Sequence, residues 1–547
     1  MKNLKTYSAG LLLLATGLFS CKKDAVTEQG VNLTNLGARN LSTAVGVTTT
    51  TTTPLKNMFG VNAYEWDFLQ NPSDPSNVAQ VYQPKMNAIT TFSQVRHYLD
   101  WSKIQTNGSG FTFNPSHAGS WNYDAMYQAV KANNIFMLVD LKCCPDWFLN
   151  SSYPSDLRDA EDVPAPWGSD RTNPASYLLQ AKAAFQFAAR YGSNAAIDKS
   201  LINLDQTSRW TADPVNEVKV GMNLVKYIEC DNERDKWWKG DKAQQTAQEY
   251  AANMSAFYDG DKGKLGKNVG VKNADPNMLV VMGGLSVPNV QFVKDMVEWC
   301  RQHRGYRADG SVDLCFDVIN YHLYSNDADP LDIRTIATKG VAPELSKDGD
   351  IADSFVQYAQ SLPNHPEVWI TEAGYDLNPN SPQRAIAIRN KSAEITQADW
   401  TLRSALLYIR KGISRLFFYQ LYDDNPGASI QYATAGLYNS NQTPRAAAQY
   451  IKQTTDLIGN YTYAGTVNKH PMVLKFVSGS KTMYAVWVPD QTGAYQDFVL
   501  NLGSGIKKAT FYQPQVGNPR MTSWTKSTSG GKIVVPASET PTFVTGN

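Results

Sequence analysis

The sequence predicts an α/β protein: a closed (β/α)8 barrel over residues 55–455, followed by a small antiparallel β-sandwich over 456–547. Three observations carry this. Between 55 and 455, eight short apolar runs alternate with stretches of helical periodicity. The first run leads into Gly60-Val-Asn-Ala63 and not into a Gly-rich phosphate turn, which disfavours an open doubly wound sheet. Beyond about residue 456 the helical period gives way to short alternating runs separated by Gly, Ser, Pro and Asn.

The eight runs occupy 58–62, 94–97, 135–141, 225–230, 278–283, 315–321, 368–371 and 415–420. Between them, Ala247, Tyr250, Met254 and Phe257 fall on one helical face. Ala398, Leu402, Ala405 and Ile409 do the same, as do Phe292, Val293, Met296, Val297 and Cys300. Strands that alternate with helices pair in parallel through right-handed crossovers. Eight such units suit a barrel with loop insertions. The sandwich strands are expected at 473–477, 483–488, 498–502, 509–512, 533–535 and 542–544. Covering the barrel's flank is the simplest role for that unit.

Residues 1–20 stand apart from the fold. Lys2 and Lys5 precede the apolar run from Leu11 to Ser20, which is too short to span a bilayer and has the shape of a secretory signal. It stops at Cys21. The segment Leu18-Phe-Ser-Cys21 resembles the lipobox of bacterial lipoproteins, which implies cleavage before Cys21 and lipidation of its thiol. The following Lys22-Lys-Asp24 is similar to the charged start of Bacteroidetes lipoproteins. The resemblance implies a chain held to the outer membrane through its lipid alone, on the periplasmic or the outer side. Residues 21–54 are polar and include the run Thr48 to Thr53 before Pro54. Such a segment buries too little apolar surface to offset its ordering entropy, so it reads as a disordered tether.

Composition excludes several chemistries. The net charge is +1 with no basic stretch, so no nucleic-acid partner is expected. The 6 His are scattered, without His-x-His or His-Glu-x-x-His, so no metal is expected. There is no Gly-x-Ser-x-Gly elbow and no phosphate loop, and no cofactor is called for. Cys143, Cys144, Cys230, Cys300 and Cys315 lack zinc-site spacing and leave their pairing open.

Two glutamates end apolar runs and precede loops. One closes Tyr227-Ile-Glu-Cys-Asp-Asn-Glu233; the other sits in Glu367-Val-Trp-Ile-Thr-Glu372-Ala-Gly-Tyr. In a barrel of this kind the chemistry lies where strands end. Two carboxyl groups brought to one rim are what acid-assisted cleavage of a sugar acetal requires. Asn232 directly precedes Glu233, the sixth run ends in Asn320-Tyr-His322-Leu-Tyr324, and the second run carries Arg96.

Together these motifs resemble clan A of the glycoside hydrolases, TIM-barrel enzymes that include families 5, 30 and 39. The resemblance implies that Glu233 is the acid/base, Glu372 the nucleophile and Asn232 the ligand of a sugar 2-hydroxyl. It further implies that Tyr324 and His322 orient the nucleophile and line its subsite, with Arg96 in support. Many clan members place a Trp after the eighth strand. Here the text is Phe417-Phe-Tyr-Gln-Leu-Tyr422, and Tyr419 or Gln420 takes that place. Family 5 enzymes often carry a His after the third strand, where this chain has Asp140-Leu-Lys142. Trp147 and Trp237 follow the third and fourth runs and are candidates to stack on sugar rings, and Glu65, Trp66 and Asp67 are candidates to meet sugar hydroxyls.

The implied activity is retaining hydrolysis of a β-linked polysaccharide or oligosaccharide by double displacement, in endo mode. An exo-acting glycosidase and an inactive glycan-binding lipoprotein are the alternatives. Carboxylates about 5 Å apart repel by about 3 kcal/mol at an effective dielectric near 20. The pair is therefore expected to hold one proton at neutral pH, which Glu233 can donate.

Overall fold

The computed structural model describes residues 51–209, 211 and 213–547. The expected leader, Cys21 and most of the expected tether lie outside the described residues. Eight parallel strands close a barrel in chain order. They are β1 (Gly60–Ala63), β2 (Gln94–Asp100), β3 (Phe136–Lys142), β4 (Tyr227–Cys230), β5 (Leu279–Met282), β6 (Val318–His322), β7 (Glu367–Ala373) and β8 (Arg415–Phe418). β1 pairs with both β2 and β8, which seals the ring. Every strand falls on an expected run, with ends displaced by 3 residues or fewer.

The three expected helical faces pack inward from the helices Ala247–Asp259, Val290–His303 and Ala393–Lys411. The first begins with a reciprocal capping box between Thr246 and Glu249 and ends at Gly260, whose φ of 67° admits the left-handed cap. Among the described residues, no helix is long and apolar enough to cross a membrane.

Strand alternation sorts the lumen into layers, because every second side chain of a barrel strand points inward. Phe136 and Leu138 of β3, Tyr227 at the start of β4, Val281, Val318, Trp369 and Phe417 form one apolar cluster that fills the floor. Two residues further along come Asp140, Glu229 and Asn320, which join Asn62 and Arg96 in a fully buried polar layer. The mouth lies beyond that layer. The change from apolar to polar along β3, β4 and β6 is thus written in steps of two.

The C-terminal region contains β9 (Thr462–Lys469), β10 (Met472–Ser478), β11 (Lys481–Trp487), β12 (Tyr495–Asn501), β13 (Lys508–Gln513), β14 (Thr522–Ser527), β15 (Lys532–Ser538) and β16 (Thr542–Gly546). A six-stranded sheet in the order β14-β13-β16-β11-β10-β9 faces the two-stranded pair β12-β15. Val473, Val486, Leu500, Phe511, Ile533, Val535 and Val544 form the core between them. The expected sandwich is present, with two strands beyond the six foreseen. Both additions, β9 and β14, are edge strands with little buried surface, so they lack the alternation that marks their neighbours.

A polar seam joins the sandwich to the barrel. The Trp487 indole N–H donates to Glu344 at 2.6 Å, Glu344 pairs with Arg403 at 2.6 Å, and Arg403 donates to the Asp490 carbonyl at 2.9 Å. Lys391 bridges Asp399 at 2.9 Å and Glu539 at 3.0 Å. Thr51, at the end of the segment read as a tether, donates its N–H to the Tyr463 carbonyl in β9. Cys144, Cys230, Cys300 and Cys315 are free and buried, with the Cys300 and Cys315 sulfurs 3.4 Å apart.

Candidate active site

The polar layer is organised around Arg96. Its Nε and Nη2 form a fork on Glu229, at 2.6 and 2.9 Å. Nη2 also donates to Asp140 at 3.1 Å and to Asn232 Oδ1 at 2.8 Å. Nη1 donates to Asn62 Oδ1 and to Glu372 Oε1, each at 3.1 Å. Burial works against this cation, but Glu229, Tyr98, Asp140 and Glu372 outweigh it and hold the guanidinium well above its ordinary pKa. One arginine thus ties β1, β2, β3, β4 and β7 to a common point.

Three carboxyl groups around one guanidinium leave an excess of negative charge. Burial foremost, with Glu229 adding to it, pushes the Asp140 carboxyl well above the usual carboxylate range, against the pull of Arg96 and Lys142. Asp140 is fully buried, and its Oδ1 has no hydrogen-bond partner. A neutral Asp140 relieves the excess without removing the hydrogen bond from Arg96.

Glu372 is placed by β7, whose pairing with β6 and with β8 shifts register at this point. Its Oε1 accepts from Tyr98 at 2.7 Å as well as from Arg96, and its Oε2 accepts from Tyr324 at 2.9 Å. Burial first, with Glu372 beside them, pushes the Tyr324 phenol well above its ordinary value. Burial does the same to Tyr98 although Arg96 opposes it. Both therefore stay protonated and donate.

Glu233 follows β4 in a left-handed backbone conformation, with φ of 50°. Its N–H donates to the Gly284 carbonyl at 3.1 Å, while the Gly284 N–H donates to Glu229 Oε1 at 3.1 Å. His322 stands between the two expected catalytic carboxylates. Its Nδ1 lies 3.0 Å from Glu233 Oε1 and 3.5 Å from Glu372 Oε1, and its Nε2 lies 3.1 Å from Thr371 Oγ1. One oxygen of each glutamate and one ring nitrogen of His322 lie within 4.8 Å of one another. Two carboxylates and an imidazole are also a donor set for a divalent metal, although the Arg96 guanidinium already brings positive charge to Glu372.

Glu233, Glu372, Asn232, Arg96, His322 and Tyr324 therefore meet at one end of the barrel. Tyr419, just past β8, joins them: its hydroxyl is 3.4 Å from that of Tyr64, and its ring meets Tyr98 and Tyr432 edge-on at 6.3 and 5.2 Å. Each of the two tryptophans has an edge-on aromatic neighbour. Trp147 packs edge-on against Trp101 at 5.6 Å and donates its N–H to the Gln105 carbonyl. Trp237 is exposed and meets Trp238 edge-on at 6.1 Å. Glu65 pairs with Lys103 at 3.0 Å, and Asp67 accepts the Tyr64 N–H at 2.9 Å. Both acids thus have partners within the protein. Trp66 stacks on Tyr64 with centroids 4.4 Å apart, and Tyr64 stacks on Tyr98 at 5.0 Å.

The sequence reading passed over Glu229, Tyr98, Asn62 and Tyr64 as members of the site. The signal was present as the strand period. Tyr98 is two residues from Arg96, Tyr64 is two from Asn62, and Glu229 lies on β4, three residues before the Asn-Glu pair that follows the strand.

No protein-family model and no curated protein sequence matches the chain. Solved structures do. A family 39 glycoside hydrolase from Bacteroides cellulosilyticus is 16% identical with a TM-score of 0.59, over 90% of this chain and 81% of that one. The GH39 enzyme from Xanthomonas axonopodis pv. citri is 13% identical with a TM-score of 0.53, over 91% and 95%. A monomeric beta-xylosidase from Caulobacter crescentus is 11% identical with a TM-score of 0.53, over 91% and 98%. At such identities the likeness is one of fold. It spans both the barrel and the sandwich.

Proposed function

We propose that this chain is a retaining β-glycosidase in which Glu372 is the nucleophile and Glu233 the acid/base. The observation that carries the reading is the approach of their carboxylate oxygens to within 4.8 Å. Retaining enzymes hold the two groups about 5–5.5 Å apart, whereas inverting enzymes leave about 6.5–9.5 Å for a water. The fold neighbours named as glycosidases support the same reading.

The environments differ in the way the chemistry needs. Arg96, Tyr98 and Tyr324 aim three donors at Glu372, the hydrogen bonding that a carboxylate nucleophile needs. Glu372 attacks the anomeric carbon as the glycosidic C–O bond breaks, and the departing oxygen takes the proton from Glu233. Esterification removes the charge on Glu372. Glu233, now a carboxylate, takes a proton from the water that attacks the ester and frees the sugar with its anomeric configuration restored. Asn232 is turned by Arg96, which occupies its carbonyl oxygen and leaves its NH2 for a sugar 2-hydroxyl. Tyr419 forms part of the floor beneath the reacting sugar.

The substrate we propose is a β-linked polysaccharide cut in endo mode, by an enzyme tethered to the outer membrane through lipid on Cys21. A polysaccharide panel read by reducing-end release, with the first product's anomer followed by proton NMR, tests the chemistry. Retention with internal cuts is expected. Inversion overturns the double displacement, and stepwise release of single sugars overturns the endo mode. Glu372→Gln is expected to abolish turnover of every glycan that the wild type cuts. Metabolic lipid labelling of wild type against Cys21→Ala tests the anchor, and equal labelling overturns it.

A further inference from the structure

Glu233 sits in a short stretch of unusual backbone. Asp231 and Glu233 both have left-handed φ, 66° and 50°. For residues other than Gly such conformations are strained and persist only where the surroundings over-determine them. The two residues that follow Glu233 supply that constraint from opposite sides.

Arg234 is fully buried. Its Nη1 donates to the Asp162 carbonyl at 3.1 Å, its Nη2 donates to the Glu161 carbonyl, and Nη1 lies 3.5 Å from Asp231 Oδ2. This ties the turn to the loop that follows β3. Asp235, also buried, points the other way. Its two oxygens accept the N–H groups of Ser286 and Val287, each at 2.8 Å, and so tie the turn to the loop that follows β5. Further ion pairs extend the grip on the β3 side, with Lys236 on Glu161 at 3.1 Å and Lys239 on Asp159 at 3.2 Å.

We infer that Arg234 and Asp235 are positioning residues for proton donation: they clamp Glu233 between the β3 and β5 loops at the depth where it can reach the departing oxygen. The inference rests on the assignment of Glu233 as the acid/base. A displacement of about 1 Å at a reacting group can cost about 100-fold, and each tie is aimed at a backbone group that cannot follow a shortened or recharged side chain. Asp235→Asn turns an NH2 toward one of two amide donors, and Arg234→Lys cannot span two carbonyls.

Leaving-group dependence separates this role from a structural one. Phenyl and 2,4-dinitrophenyl β-glycosides of the sugar unit that the enzyme releases differ in their need for a proton. In wild type kcat/KM is expected to differ little between them. Asp235→Asn and Arg234→Lys are expected to lose about 100-fold on the phenyl glycoside and no more than about 3-fold on the dinitrophenyl glycoside, as Glu233→Gln does more severely. Equal loss on both substrates by both variants, or no loss, overturns the clamp while Glu233→Gln still shows the split. If Glu233→Gln itself shows no split, the acid/base assignment fails and the clamp falls with it. Using two variants guards against one that does not fold, since either alone reports the ratio.

Discussion

The two ends of the barrel lumen each hold an arginine, and they are held in opposite ways. Arg96 at the upper layer donates to Glu229, Asp140, Glu372, Asn62 and Asn232. Arg415 at the floor lies 3.7 Å over the Phe136 ring and 5.2 Å from that of Trp369, gives one N–H to Gln94 at 2.8 Å, and has an Nε without a partner. Burial depresses the Arg415 pKa more than Glu367 raises it, whereas the carboxylates around Arg96 win over burial. The floor is a packed plug that uses a cation as one more flat surface. The mouth is a charged network in which no member can leave without stranding another.

The difference is sharpest if both arginines are removed in turn. Arg96→Met strands three buried carboxyl groups, so a loss of about 3–5 kcal/mol in stability is expected, with kcat/KM down by more than about 1,000-fold. Arg415→Met keeps the volume and loses a cation–π contact and one hydrogen bond, worth about 1–2 kcal/mol, with activity per folded molecule unchanged. Urea midpoints and kcat/KM on purified variants give both quantities. Comparable damage from the two would show that the lumen is not divided in this way.

Two glycines make the same division without touching a charge. A Cβ on Gly284 would stand 2.0 Å from His322 Nε2, so Gly284→Ala must push His322 off the line between Glu233 and Glu372. A Cβ on Gly60 would stand 2.5 Å from a ring carbon of Phe417 and 2.8 Å from the Leu416 carbonyl. Gly284→Ala is expected to cost about 100-fold in kcat. Gly60→Ala is expected to cost about 1–3 kcal/mol in stability through overpacking, with catalysis intact. Reversal of the two readouts would place the working layer at the wrong end.

Single hydroxyls come next. Tyr324→Phe removes the donor to Glu372 Oε2 while Arg96 and Tyr98 still hold Oε1. A hydrogen bond to a charged group is worth about 1.5–3 kcal/mol, so a loss of about 10–100-fold in kcat/KM is expected with little change in melting temperature. A neutral result would mean that Tyr324 serves the fold.

The division explains what the sequence disclosed. The barrel was legible because each strand's apolar run survives burial on both faces, and Arg415 to Phe418 reads as such a run even with a cation at its start. The proposed pair, Glu233 and Glu372, was legible because Asn-Glu and Thr-Glu-x-Gly stand at strand ends. Glu229 and Asp140 were not, because a carboxylate inside an apolar run looks like an error in the pattern until its cation is found on another strand 133 or 44 positions away. Trp147 and Trp237 are a different case: an aromatic residue near a strand end carries no sign in the sequence of whether its ring faces a cleft or a neighbour.

Asp140 gives the mildest expected effect and the most specific test of the charge count. Its folded pKa is raised, so between the unfolded value near 3.9 and the folded value the native state binds more protons than the unfolded chain. The stability it contributes is full below the unfolded pKa and is lost as pH rises through the folded pKa. Asp140→Asn imitates the neutral acid and removes that titration. At neutral pH the variant is expected to keep activity within about 3-fold, and its stability should fall less steeply with rising pH than the wild type's, by at most about 1.4 kcal/mol per pH unit in the window. Urea titrations at intervals from pH 5 to 8 measure the two slopes. Parallel slopes with a large loss of activity would mean that Asp140 is ionised in the native barrel, and that Arg96 faces three full negative charges with Lys142 as the nearest help.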